Sequence, residues 1–292
     1  MKRTLLLTPL LLLMVSWNSY SASSTIPPTQ IKKLTVVSQI VEKNYVPTEE
    51  TTLVDDVNVA TGKNTTTEIS ITKYDFTYNT VGQMTAVKSY LVENGQPTST
   101  FITTLDIDAN NQLNKVLFGE NKMSLDLTYD NNRLKSTEFK DLYYDESRVT
   151  TITYNKLDLP GEIETVSQPQ YSDPEVTKFI FDPNNNVKIV ALDSNKTNYT
   201  YDSKKYPFAF LPYSFNVSNY LSASELNYTN YVQQNNVVKI ADSNFITTID
   251  YTYSNQNLPL TAKVKTVDKS NPTDIVSQYD YEFIYKDLEI TE

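Results

Sequence analysis

Residues 124–134 read SLDLTYDNNRL: Leu125, Leu127 and Tyr129 take every second position, Ser124, Asp126 and Thr128 fill the gaps, and Asp130-Asn131-Asn132 precede Leu134. Alternation with period two is the mark of a strand with one buried and one wet face. Such a strand belongs to an antiparallel sheet, because parallel sheets are covered on both faces and read as unbroken apolar runs. The same alternation returns in Ile249, Tyr251 and Tyr253 against Thr248, Asp250 and Thr252, and again in Tyr279, Tyr281, Phe283 and Tyr285. Thr, Tyr, Val and Ile also favour strands.

The turn that follows each strand has a recurring form. Tyr78-Asn79 leads through Gly82 to Met84, Ile107-Asp108 through Asn111 to Leu113, and Phe181-Asp182 through Asn185 to Val187; Tyr231, Asn235 and Val237 keep this spacing. Tyr129-Asp130 shortens it by one residue before Leu134, whereas Tyr154-Asn155 and Tyr253-Ser254 lead to Leu159-Pro160 and Leu258-Pro259. Asn stands where Gly is common in other turns, since both tolerate positive φ and Asn or Asp can also bond its own turn backbone. The first residues of six units, at 78, 107, 129, 154, 181 and 201, are spaced by the length of one hairpin.

These units resemble a degenerate form of the YD (RHS-like) repeat of bacterial cell-surface and secreted proteins. The matching residues are Leu127-Thr128-Tyr129-Asp130, Tyr199-Thr200-Tyr201-Asp202 and the run from Tyr201 to Phe208. The Gly-Arg pair of full YD repeats is absent. The last run is similar to one in uncharacterised secreted YD-like proteins described as having a porin-like β fold. The resemblance implies such a fold from about residue 65 onward, and it carries over no catalytic residues.

The reactive side chains are sparse. With His 0 and Cys 0, Ser-His-Asp and Cys-His catalysis are excluded, as are zinc sites built from imidazole and thiolate. Gly62, Gly82, Gly95, Gly119 and Gly161 form no phosphate-cradling loop or dinucleotide fingerprint. No catalytic residue, cofactor or metal site is assigned, and carboxylate chemistry is the one enzymatic route left. Asp106, Asp108 and Asn110 match the first ligands of a calcium loop, but Asn111 stands at its glycine and Leu117 at its closing glutamate, so a solvated turn is expected. Asp141, Asp145 and Glu146, near Tyr143 and Tyr144, read as an acidic strand edge, and the Asn-X-Ser/Thr sequences as abundant Asn and Thr.

Lys2-Arg3, the apolar run Leu5–Val15 and small residues at Ser19, Ser21 and Ala22 read as a signal peptide over 1–21. The run is too short to span a membrane as a helix. Losing those two cations takes the formal charge from −10 to −12, so nucleic acid is not an expected partner. A flexible leader over 22–34 and a single hairpin-repeat domain over 35–292 follow. Within it, residues 206–226 break the rhythm with Pro207 and Pro212 and a dense aromatic set, Phe208, Phe210, Tyr213, Phe215 and Tyr220. These five are the candidate plug or ligand-lining residues.

The expected fold is therefore all-β: a curved antiparallel meander of about ten or more strands in sequential hairpin order, barrel-like or half-barrel, with little helix. The expected function is that of an exported, non-enzymatic envelope or secreted protein, periplasmic or extracellular, that binds or scaffolds an unidentified envelope or extracellular ligand. The alternatives are an outer-membrane β-barrel, the one form in which this chain would associate with a membrane, and a carboxylate-dependent glycan-active enzyme. Against the barrel stand the polar residues Asp126, Asp250, Asp280 and Glu282 between the large ones.

Overall fold

The computed structural model describes residues 31–54, 57–110, 112–119, 122–168, 173–208 and 234–291. Sixteen strands follow one another: β1 (Ile31–Val54), β2 (Val57–Tyr78), β3 (Met84–Glu93), β4 (Gln96–Ile107), β5 (Leu113–Phe118), β6 (Met123–Asp130), β7 (Arg133–Asp141), β8 (Glu146–Tyr154), β9 (Pro160–Gln168), β10 (Glu175–Phe181), β11 (Val187–Leu192), β12 (Asn195–Lys205), β13 (Asn235–Ala241), β14 (Phe245–Tyr253), β15 (Pro259–Asp268) and β16 (Ile275–Thr291). No helix occurs among the described residues. Each strand pairs antiparallel with its neighbour in sequence, and β1 pairs with β16, so the meander closes into a barrel. The seam runs from Ile31↔Thr291 to Tyr45↔Gln278 across one bulge. Closure removes the sheet edges that an open meander would expose. β1 therefore begins inside the expected leader: Leu34 is already paired with Leu288.

The two faces of the wall differ as the alternation requires. Val37, Ile40, Phe76, Val87, Leu105, Val116, Phe118, Leu125, Leu127, Ile152, Ile163 and Phe179 are buried in one apolar cluster, with Tyr74, Tyr129, Tyr281, Phe283 and Tyr285 packed against it. A convex wall with only solvent beyond it cannot bury side chains, so this face lines the inside. The opposite face is charged. Across adjacent strands Asp250 lies opposite Lys263, Lys263 opposite Asp280, and Asp280 opposite Lys43. On β5 to β7, Asp126 takes Lys115 at 3.0 Å and Lys140 at 3.4 Å, and Lys140 also meets Glu138 at 2.9 Å.

The repeated turns gather at one end of the barrel and, apart from the two-residue turn between Asp130 and Arg133, share one geometry. The Asn79 Oδ1 accepts the N–H groups of Val81 and Gln83; Asp108 does the same for Asn110 and Gln112, Asn155 for Leu157 and Leu159, and Asp182 for Asn184 and Asn186. Ser254 does it with its hydroxyl for Gln256 and Leu258. The fourth turn residue has positive φ: +83° at Gly82, 64° at Asp158, 63° at Asn185 and 61° at Asn257. The aliphatic residue that resumes the chain is fully buried at Met84, Leu113, Leu134 and Val187. Tyrosines then fasten four of the turns to their neighbours: the phenols of Tyr129, Tyr154, Tyr201 and Tyr285 donate to the carbonyls of Leu113, Leu134, Val187 and Pro259 at 2.7–3.0 Å.

Candidate functional site

Two buried asparagines fix the base of the aromatic segment. In five of the other turns the first residue's side-chain oxygen accepts two N–H groups, two and four residues on. Asp202 accepts from Lys204 at 2.8 Å as usual, but its second backbone donor is Asn236, at 3.2 Å. The chain between Lys205 and Asn235, which pair with each other, is thus an insertion into a standard turn. This corrects the unit expected at Tyr231, Asn235 and Val237: Asn235 opens strand β13, and Tyr231 lies outside the described residues. Asn186, fully buried, accepts from the backbone of Gln234 and Asn235 and donates to Asp182 and to the Asn235 side chain. Asn236 donates to Asp202, which also accepts the Tyr253 hydroxyl. Among the described residues no buried side-chain polar atom of this network lacks a partner, as such a desolvated network requires.

Of the five candidate aromatics, Phe208 is 3% exposed and sits in the core cluster, its ring 5.4 Å from Phe76 and 5.8 Å from Tyr206. Phe210, Tyr213, Phe215 and Tyr220 lie outside the described residues. The chain enters the insertion with Pro207 and Phe208 both buried, at the end where the turn-closing aliphatics converge.

A second polar group lies inside the wall. Glu42 is on the inner face of β1 and accepts the Tyr74 hydroxyl at 3.1 Å; Tyr281 bonds it as well. Burial raises the carboxyl above its usual range, while the two phenols pull it back down. The same burial raises Tyr74 and Tyr281. Glu42's bonded partners are phenols, so it does not form the carboxylate pair of a glycosidase with them. Composition gave no sign of Glu42. Its inward position could have been found only from the register Ile40, Glu42, Asn44 within an otherwise apolar alternation.

At the opposite end, a rim pocket of about 290 Å³ opens between Phe101, Ile102, Phe118, Gly119, Lys122 and Tyr143. The adjoining tip exposes Leu142, Tyr143 and Tyr144, and Lys122 lies 4.4 Å over the Tyr143 ring. Asp141 is occupied in capping this turn through the Tyr143 N–H. The calcium-like residues do not converge on one point: Asp106 is paired opposite Lys115 in the ladder and Asp108 caps its turn.

No family model matches the chain, and no curated protein matches it. Among solved structures it is similar to a porin-like protein from Bacteroides uniformis at 10% identity and a TM-score of 0.55, covering 86% of this chain and 96% of that one. A porin-like protein from Bacteroides vulgatus aligns over 86% of this chain and 99% of that one, with 12% identity and a TM-score of 0.28. The Photorhabdus luminescens Tc holotoxin pore aligns over 71% of this chain and 11% of that one, with 14% identity and a TM-score of 0.23. The first likeness shows a fold: the protein is a closed meander barrel of porin-like architecture. The YD-repeat relationship is not established by these likenesses. Closure and the porin-like neighbour fit the outer-membrane-barrel alternative better than the envelope or secreted binding and scaffolding protein read first.

Proposed function

We propose that this protein is an exported β-barrel of the bacterial cell envelope whose outer wall faces water and which acts by binding rather than catalysis. The observation that carries the reading is the row Asp250, Lys263, Asp280, Lys43 along the outer face. Lys263 lies four residues from the start of β15 and five from its end, so the row crosses the middle of the wall. A lysine at a bilayer midplane costs about 2–4 kcal/mol. An apolar interior with a charged exterior is the reverse of a porin's arrangement. Export rests on the signal-like residues 1–21, and the binding role on the absence of His and Cys together with the inserted aromatic segment.

A second reading, an outer-membrane barrel, is favoured by the closed antiparallel meander and the porin-like neighbour. Cell fractionation separates the two. The expected result is recovery of the mature protein in the aqueous envelope or culture fraction without detergent. Recovery only from detergent-solubilised outer membrane would select the second reading.

A further inference from the structure

The rim pocket at the end away from the repeated turns forms where β4 meets two hairpins whose backbones are tied together. The Gly119 N–H donates to the Ile102 carbonyl at 2.8 Å and carries the β4–β5 ladder on into the β5–β6 turn. The Leu142 N–H donates to the Lys122 carbonyl at 2.9 Å and does the same between β6 and the β7–β8 turn. Gly119 has φ +58°, and a Cβ there would come 3.0 Å from the Phe101 ring, so glycine lets that ring lie against the backbone as one wall. Phe118, 1% exposed, closes the bottom, its ring 6.3 Å from that of Phe139. Met123 adds its side chain to the lining, and Tyr143 stands at the mouth, 61% exposed.

A pocket of about 290 Å³ with aromatic and thioether walls suits a small apolar body. An apolar cavity of about 150 Å³ holds benzene, so this one has room for about two fused rings or a chain of about ten carbons. The mouth sets the head group. Lys122 is the one charged residue that lines the pocket among the described residues, and its ammonium lies 4.4 Å from the centre of the Tyr143 ring. A ligand cation stacking on Tyr143 would be brought against that ammonium, whereas a carboxylate would gain a charge-assisted hydrogen bond from it. Asp141, on the neighbouring hairpin, does not line the pocket: its Oδ1 accepts the Tyr143 N–H at 2.8 Å. The exposed tyrosine beside an apolar cavity leaves apolar area in water that such a ligand would cover.

We propose that the rim pocket binds a small amphipathic anion, an aryl or medium-chain carboxylate, with its apolar body on Phe101, Phe118 and Met123 and its carboxylate at Lys122 beside the Tyr143 ring. This rests on the binding-barrel reading above and gives it a ligand class. The pocket lies at the opposite end of the barrel from the aromatic insertion, so the two features serve separate contacts.

The test follows the methionine methyl groups of the whole chain by nuclear magnetic resonance. Met123 reports on the pocket, and Met84, fully buried at the other end of the barrel, is its internal control; Met1 and Met14 lie in the expected signal segment. Naphthoate is the probe, with naphthylmethanol and naphthylmethylamine as its neutral and cationic counterparts. The expected result is a saturable shift of the Met123 methyl with naphthoate at about millimolar concentration or below, while Met84 stays in place. The alcohol should bind about tenfold more weakly, and the amine more weakly still. Lys122→Gln should bring naphthoate down to the affinity of the alcohol, and Tyr143→Ala should weaken all three probes; both side chains are exposed. Tyr144→Ala, at the equally exposed neighbour that does not line the pocket, should change nothing. No shift of Met123 up to about 10 mM naphthoate, an equal shift of Met84, or an amine that binds as well as the carboxylate would overturn the proposal. So would a preference for the carboxylate that survives Lys122→Gln. A barrel recovered in the aqueous fraction whose Met123 methyl ignores naphthoate would reject this site and leave the water-facing reading standing.

Discussion

At the scale of single residues, the turn chemistry read in the sequence proves to be the local rule of the fold. Asn185 and Asn257 hold the positive φ that Gly82 holds in the first turn. Gly82 has a further reason to be glycine, because a Cβ there would come 3.0 Å from Leu34 and 3.4 Å from Ile290. Gly82→Ala is therefore expected to destabilise the barrel by about 1–2 kcal/mol, the strain of the left-handed region, measured by urea denaturation. Tyr129→Phe deletes the bond to the Leu113 carbonyl and should cost about 0.5–1.5 kcal/mol. Glu42 makes a pH-dependent prediction. Its folded-state pKa is raised above the unfolded one, so the protein loses stability as pH rises through the folded value, when the buried carboxyl must ionise. Glu42→Gln should then melt higher than the parent at neutral pH, with the gap closing in acid below the unfolded carboxyl pKa. A gap that widens in acid would show that the ionised carboxylate stabilises the barrel.

At the scale of elements, the insertion between β12 and β13 marks the limit of what spacing alone reveals. The segment was visible as a break in rhythm, because Pro207, Pro212 and five aromatics interrupt the alternation. Its status as an insertion into an otherwise regular turn was not visible. Asp202 recruits Asn236 across 34 residues, and nothing local to Tyr201-Asp202 announces that partner. Phe208 enters the core beside Phe76, so Phe208→Ala should cost about 3–5 kcal/mol through lost burial and a cavity. The one tryptophan, Trp17, lies in the expected signal segment and far from Phe208 in sequence, so thermal melts followed by circular dichroism or tyrosine absorbance are the measurement. An unchanged melting temperature would place Phe208 outside the load of the core and return the whole segment to ligand contact.

For the whole molecule the decisive event is closure at the β1–β16 seam. Thr35 and Asp287 face each other there, and the threonine hydroxyl donates to the carboxylate at 2.7 Å. The chain has no cysteine, so in a Thr35→Cys, Asp287→Cys variant any disulfide within one molecule joins these two positions. On oxidation the double variant should form an intramolecular disulfide. It should also gain several kcal/mol of stability, since a loop of 100 residues is worth about 4.7 kcal/mol in the chain-entropy model and this one is longer. Failure to cross-link while the protein remains folded would mean an open sheet. That single test separates the barrel from the half-barrel that the alternation alone also permits.

Sequence by itself determined the strands, their antiparallel order and the side chains of each face, because period-two alternation and turn residues act within a dozen positions. Leu125, Leu127 and Tyr129 had to share one face whatever surrounded them. It also located the turns, since five of them are closed by a side-chain acceptor two and four residues before its backbone donors. Tertiary structure decided what depends on sums over the whole chain. The accumulated twist and curvature of sixteen strands brought Ile31 beside Thr291, and no local pattern records that meeting. Closure then gave the alternation a direction, with Leu125, Leu127, Tyr129, Tyr281 and Tyr285 turned inward and the row from Asp250 to Lys43 turned outward. Burial of Glu42 and the joining of Asp202 to Asn236 follow from the same closure and register, through contacts too distant in sequence for spacing to encode.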